Sequence, residues 1–157
     1  MKILKLIVLL LGVHSSGVLA VTPEVVLNRY MTAWGEHDIP KIGSFYAENI
    51  SWYDLSSNKT VSGKVQVTKA ITDAFLGQVS DMYWVQRGDL FLSDNTVIYE
   101  WRYGGTFTGK WGEHDIDNRV FSINGISTTS IDDTGKIVFQ KDYYDVGSFE
   151  RALGVGQ

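Results

Sequence analysis

At 157 residues the chain is long enough for one domain with a proper core and too short for two. Apolar residues make up 44% and charged residues 20%, as in a globular protein, and the net charge of −4 argues against nucleic acid or an anionic membrane as partner. Cysteine is absent, so the fold must hold without disulfides; five Trp, eight Tyr and seven Phe supply either a large core or an aromatic-lined cavity for a flat, apolar ligand.

The first twenty residues are a different material. Lys2 and Lys5 flank or interrupt an apolar run, Ile3 to Val13, which His14-Ser15-Ser16-Gly17 breaks before it could span a bilayer. Val18-Leu19-Ala20 then offers the small residues that a signal peptidase reads. A secretory signal cleaved after Ala20 is expected, with a mature chain beginning at Val21, a secreted or periplasmic location and no membrane contact thereafter. Removing Lys2 and Lys5 takes the net charge from −4 to −6.

Thr22-Pro23-Glu24 reads as a helix start, with Thr as N-cap, Pro at the first helical position and an acid in the first turn. Val26, Tyr30 and Trp34 recur every four residues and mark a buried face. By position alone Tyr30 is a core tyrosine whose hydroxyl bonds to backbone. Asp38 caps a second, short helix with Ile39, Ile42 and Phe45 inward. A strand follows, Ile50 to Leu55, in which Ile50, Trp52 and Asp54 share one face, delivering a carboxylate onto an apolar wall. Such a group has either a partner or a task. Ser56 to Ser62 reads as a polar rim loop, and Lys64 to Leu76 as a third helix.

From Asp81 the period changes from four to two. Four long strands are expected, over Asp81 to Leu92, Thr96 to Thr106, Ile116 to Ile131 and Lys136 to Tyr144, with Gly104-Gly105 and Gly125 as places to bend. Val97, Tyr99, Trp101 and Tyr103 line one face of the second. Three helices followed by an antiparallel meander make an α+β arrangement with the helices on one side.

The spacing Arg29-Tyr30, Asp38-Ile39, Ile42, Tyr46-Ala47-Glu48, Ser51, Asp54, Ser62-Gly63 resembles that of ketosteroid isomerases. The tail Gly-Lys-Ile-Val-Phe-Gln-Lys-Asp-Tyr-Tyr-Asp, finishing in Leu-Gly, resembles the end of SnoaL-like polyketide cyclases. Both belong to the nuclear-transport-factor-2-like superfamily. The resemblance implies a cone-shaped, cystatin-like roll, three N-terminal helices packed on a curved sheet, and a likeness to proteins that commonly pair as homodimers through the outer sheet face. It also implies Asp54 as general base, Tyr30 as oxyanion donor and Asp142, in the acid-aromatic step of that tail, as catalytic acid/base; Asp145 is a second carboxylate of the same acid-aromatic step. Where ketosteroid isomerases carry an acid and SnoaL a His, this chain has Ser127, a weaker donor. The Asp-Arg-Asp set of the fold's epoxide hydrolases is not reproduced around Glu100, Arg102 and Tyr103.

Trp34, Trp52, Trp101, Ser127 and Tyr144 are the expected pocket-lining residues, and a small hydrophobic molecule the expected ligand. The expected function is cofactor-free proton transfer on a small apolar carbonyl compound, of isomerase, cyclase or dehydratase type. A non-catalytic ligand-binding or protein-interaction domain is the alternative. Trp-Gly-Glu-His-Asp-Ile occurs at 34–39 and again at 111–116, but neither copy has helical His-x-x-x-His spacing, so no metal is expected. Asn49-Ile50-Ser51 and Asn58-Lys59-Thr60 match the glycosylation pattern. Phosphate loops, nucleotide fingerprints and Gly-x-Ser-x-Gly turns are absent, and no cofactor is expected.

Overall fold

The computed structural model describes residues 21–55 and 57–155. The expected signal segment, 1–20, lies outside the described residues.

Helix α1, Pro23–Gly35, starts as the sequence predicts: Pro23 opens it, and Thr22 Oγ1 accepts from the Val25 N–H at 3.4 Å. Helix α2, Ile39–Ser44, is capped by Asp38, whose carboxylate accepts from Lys41 N at 3.0 Å. Strand β1, Tyr46–Asp54, begins four residues before its expected start, and its alternation buries Ile50 and Trp52 while half-burying Asp54 at the strand's end. Part of the expected rim loop is strand β2, Lys59–Ser62, which pairs antiparallel with β1. Helix α3 covers Lys64–Phe75.

The meander forms as read: β3, Tyr83–Ser93; β4, Thr96–Trp111; β5, His114–Ile131; and β6, Ile137–Tyr144. Strands β4 and β5 run further into their shared hairpin than expected. A fourth helix, α4, Val146–Leu153, closes the chain, with Asp145 as its N-cap accepting from Gly147 N at 3.0 Å and Gly154 left-handed at its end. Asp145 is thus placed at a helix end, a capping role the sequence reading did not foresee.

Strand order is β2-β1-β6-β5-β4-β3, and β1 runs parallel to β6 while every other pair is antiparallel. Among the described residues this makes an α+β fold with a mixed six-stranded sheet and four helices. The parallel seam matters most. It sets Trp52 beside Gln140 and Asp54 beside Asp142, on one face of the sheet.

The core lies between that face and the helices. Tyr30 and Trp34 of α1 and Ile71 of α3 pack toward Val97, Tyr99, Trp101 and Tyr103, all buried as the β4 alternation requires. Gly125 acts differently from expectation. It stands opposite Trp101, and a Cβ there would meet the indole ring at 2.2 Å. Its missing side chain is what lets Trp101 lie flat across β5.

The repeated hexapeptide takes two unrelated forms. Its first copy ends α1 and enters α2, with His37 left-handed (φ 55°) and its Nε2 2.9 Å from Met82 O; its second makes the β4–β5 turn, where Gly112 has φ 57°.

Candidate functional site

Asp142 sits in the middle of β6 and is 2% exposed. It is therefore not the solvent-facing acid its position beside Lys141 could have made it; Lys141 lies on the other face, over the rings of Tyr53 and Tyr143. Three side chains donate to the Asp142 carboxylate. Trp52 Nε1 reaches Oδ2 at 2.6 Å, Ser127 Oγ reaches Oδ1 at 2.5 Å, and Gln140 Nε2 lies 3.2 Å from both oxygens. Trp101 Nε1 in turn donates to Ser127 Oγ at 2.7 Å.

Because Gln140 spends its amide hydrogens on the carboxylate, its Oε1 faces the other way, where Tyr30 donates to it at 3.0 Å. The Tyr30 and Tyr46 hydroxyls are 2.6 Å apart; with the Tyr30 proton committed to Gln140, Tyr46 is the donor of that pair. A continuous chain thus runs from Tyr46 through Tyr30 and Gln140 to Asp142.

Burial raises the Asp142 pKa, opposed by hydrogen bonds from Ser127, Trp52 and Gln140 and reinforced by repulsion from Asp54. Burial likewise pushes the Tyr30 and Tyr46 hydroxyls well above the ordinary phenol range. Both tyrosines are neutral donors throughout the physiological pH range.

Two spaces adjoin this network. The inner one is a chamber of about 20 Å³ walled by Trp34, Trp84, Trp101, Gln140 and Asp142, with Phe75 and Tyr103 closing it. The outer one is a cleft of about 420 Å³ lined by Trp52, Phe107, Trp111, Tyr144 and Phe149, with Asp54, Ser57, Asp73 and Lys110 among its polar groups. Phe75 and Tyr103 are walls of both. Their rings meet edge to face at 5.3 Å, and Tyr103 Oη donates to the Phe75 carbonyl at 2.8 Å.

The expected site residues therefore divide. Asp54, Trp52 and Tyr144 line the cleft; Asp142, Trp34 and Trp101 line the chamber; Ser127 stands behind Asp142 and lines neither. Tyr30 also lines neither, so the expectation that Asp54 and Tyr30 flank one ligand directly is not met. The physical reason is that Tyr30 is fully buried and its hydroxyl is engaged by Tyr46 and Gln140, while Asp54 lies at the end of β1 and accepts from Ser57 Oγ at 2.6 Å. Tyr30 is a core tyrosine as its position suggested, though its partners are side chains rather than backbone.

Gln140, Tyr46, Phe75, Trp84 and Tyr103 are among the participants that sequence reasoning did not assign to the site, as are Phe107, Trp111 and Phe149 of the cleft. Gln140 had a signal: it alternates with Asp142 and Tyr144 along β6, so three polar side chains share an inward face.

Among known proteins, a structure from Shewanella denitrificans OS-217 described as a SnoaL-like polyketide cyclase is 17% identical, covering 84% of this chain and 96% of its own, with a TM-score of 0.74. A similar protein from Jannaschia sp. CCS1 is 14% identical over 85% and 92%, with a TM-score of 0.74. A protein of ketosteroid-isomerase-like fold from Catenulispora acidiphila DSM 44928, solved with trimethylamine, is 21% identical over 85% and 95%, with a TM-score of 0.67. At these identities the likeness is one of fold. No curated protein matches the chain. The family model for SnoaL-like polyketide cyclases, however, matches residues 24–153, and the chain belongs to that family.

Proposed function

We propose that this protein is an exported, cofactor-free acid–base catalyst of isomerase or cyclase type, built on the family's cone-shaped roll and acting on a small, largely apolar carbonyl compound. Asp142 is the proton-transferring group in this reading, and Asp54 the carboxylate that faces the ligand in the cleft. The observation that carries it is the one buried side-chain carboxylate among the described residues, raised above its ordinary pKa by burial and bordering a small chamber that shares the walls Phe75 and Tyr103 with the aromatic cleft. Desolvation makes a carboxylate a stronger base toward a C–H next to a carbonyl, because the charge it loses on accepting the proton is one the protein holds poorly. The rings of Trp52, Tyr103, Trp111 and Tyr144 suit a flat apolar body.

A specific observation favours the rival reading of a binding module. The Asp142 oxygens already accept from three protein donors, and the adjoining chamber has room for little more than a water. Catalysis requires a ligand to come past Phe75 and Tyr103 to reach the acid.

Exchange of carbon-bound hydrogen separates the two. With 2-tetralone in D₂O, loss of the α-proton signal is expected to be faster with protein than in buffer, and Asp142→Asn is expected to remove roughly 10²–10⁴ of the acceleration, the usual share of a general base. Asp54→Asn is expected to do less, since it meets the ligand without taking the proton. No acceleration over a panel of cyclic ketones, or one indifferent to Asp142→Asn, leaves the binding reading in place.

A further inference from the structure

A buried amide has two unlike ends, and each must meet a partner of the right kind. Gln140 is such an amide. It is fully buried, its Nε2 lies 3.2 Å from both oxygens of Asp142, and its Oε1 accepts from Tyr30 at 3.0 Å. Turned over, it would set its own oxygen against the acid and its N–H against Tyr30. While Asp142 is ionised, its charge opposes that turn. Once Asp142 is protonated the opposition is gone, and a turned amide would offer the new carboxyl O–H an acceptor.

The far end of the chain opposes the turn in both states. A turned amide would need the Tyr30 oxygen as its acceptor, and that oxygen already faces donors: Tyr46 Oη is 2.6 Å away, and the Trp34 indole N–H, which can only donate, favours the ionised form of Tyr30. The Tyr30 proton would then have to pass to Tyr46. Tyr46 is itself fully buried, and the hydrogen-bond partner of its hydroxyl among the described residues is Tyr30, so its own proton would be left without an acceptor.

We propose that Tyr30 and Tyr46 are positioning residues for the buried acid: by directing their protons toward Gln140 they hold its amide with the N–H on Asp142 whether or not the carboxyl is ionised. The held amide keeps a donor on the anion and denies the neutral acid an acceptor, so it favours the anion, the form that takes a proton. In this respect the proposal rests on the acid–base reading above. The resemblance implies a Tyr30 that meets the ligand, whereas here its hydroxyl acts on the acid through Gln140. The charge that bears on Asp142 is Asp54 of β1, which opposes ionisation; Tyr46 of the same strand, Tyr30 of α1 and Tyr99 of β4 face it as neutral hydroxyls.

A ¹³C-carboxyl NMR titration of Asp142 reads this coupling with neither ligand nor turnover. Tyr30→Phe keeps the ring and frees the amide, and Asp142 is expected to hold its proton about tenfold more tightly, the worth of one hydrogen bond. Tyr46→Phe, which only uncovers the Tyr30 oxygen, is expected to act in the same direction by less. Gln140→Met removes both ends of the amide, and in that background neither tyrosine substitution is expected to move the Asp142 titration. A merely structural role for the tyrosines would not depend on Gln140 in this way. An Asp142 titration unmoved by Tyr30→Phe, or moved equally with and without Gln140, overturns the proposal; should Tyr30→Phe fail to fold, the same cycle between Tyr46→Phe and Gln140→Met decides it. Coupling through Gln140 without any α-proton exchange removes the catalytic reading and leaves the positioning. Exchange that depends on Asp142, with no coupling through Gln140, does the reverse.

Discussion

Trp52 Nε1 donates to Asp142 Oδ2 at 2.6 Å, across the parallel seam where β1 meets β6. The register sets Trp52 beside Gln140, so the indole reaches diagonally, two residues along β6, to find the carboxylate. One side chain therefore does two things. Its ring is a wall of the outer cleft, and its N–H holds the acid that borders the inner chamber. Whatever the ligand does to Trp52, Asp142 feels.

Replacing that donor gives a first prediction. Trp52→Phe removes one of the three hydrogen bonds that oppose the effect of burial, so the Asp142 pKa is expected to rise further. Any pH–rate limb belonging to Asp142 as a base should move to higher pH. A hydrogen bond to a charged group contributes about 1.5–3 kcal/mol, and urea unfolding should show a loss of that order at neutral pH, smaller in acid where the carboxyl is neutral. A pH-independent loss would assign the effect to ring packing alone.

The pH dependence of stability gives a second. Burial raises the folded-state pKa of Asp142 above the ordinary 3.8, so the folded protein holds this proton more tightly than the unfolded chain does. The stabilisation due to that shift is complete below the unfolded value and is lost as pH rises through the folded one. Asp142→Asn cannot titrate. The stability of Asp142→Asn minus that of the wild-type protein is therefore expected to grow as pH climbs above about 4 and to level off once the wild-type carboxyl is ionised. Asp81, Asp132 and Asp145 are shifted the opposite way, held low by hydrogen bonds from Thr106, Thr134 and Ser148, and their contributions fade in acid. They are common to both proteins and cancel in the difference. Urea titrations at a series of pH values measure it; a difference that is flat or falls with pH would contradict the raised pKa.

Much of this was legible in the chain because strand alternation is a local signal. Val97, Tyr99, Trp101 and Tyr103 had to share a face, and Ile50, Trp52 and Asp54 another, whatever the rest of the molecule did. Thr22 and Asp38 announced their helices for the same reason. What was not legible depends on distant pairings. Nothing near Tyr30 shows that its hydroxyl will meet Gln140, 110 positions away. Nor does the β6 sequence show that its neighbour will be β1, running parallel, which is what brings Asp54 and Asp142 together. The division into chamber and cleft rests on where two rings, Phe75 and Tyr103, come to lie, and side-chain placement of that kind leaves no periodic trace. Asp145 shows the opposite case, a local signal that the sequence reading passed over: an Asp followed by Gly147-Ser148 is that of a helix cap.

The outer face of the sheet carries the last prediction. Val85, Phe91, Ile98 and Ile126 are between 38% and 67% exposed, and the register sets Phe91 opposite Ile98 and Glu100 opposite Ile126, so apolar side chains of three strands share the side away from the core. Exposed apolar side chains gathered on one sheet face mark an association surface more often than they mark tolerance. The occupant expected is a second copy of the chain, because a face of this kind can pair with itself about a two-fold axis and bury roughly 800 Å² on each partner, the size of a stable interface. Arg102 and Glu100, on the same face, can meet across that axis as opposite charges. Light scattering coupled to size-exclusion chromatography is expected to report a dimer at micromolar concentration. Ile98→Lys places a charge in the middle of the patch and should shift the protein to monomer while leaving the interior, and with it 2-tetralone binding, unchanged. A wild-type monomer at the highest soluble concentration would show that this face has no second copy to cover it.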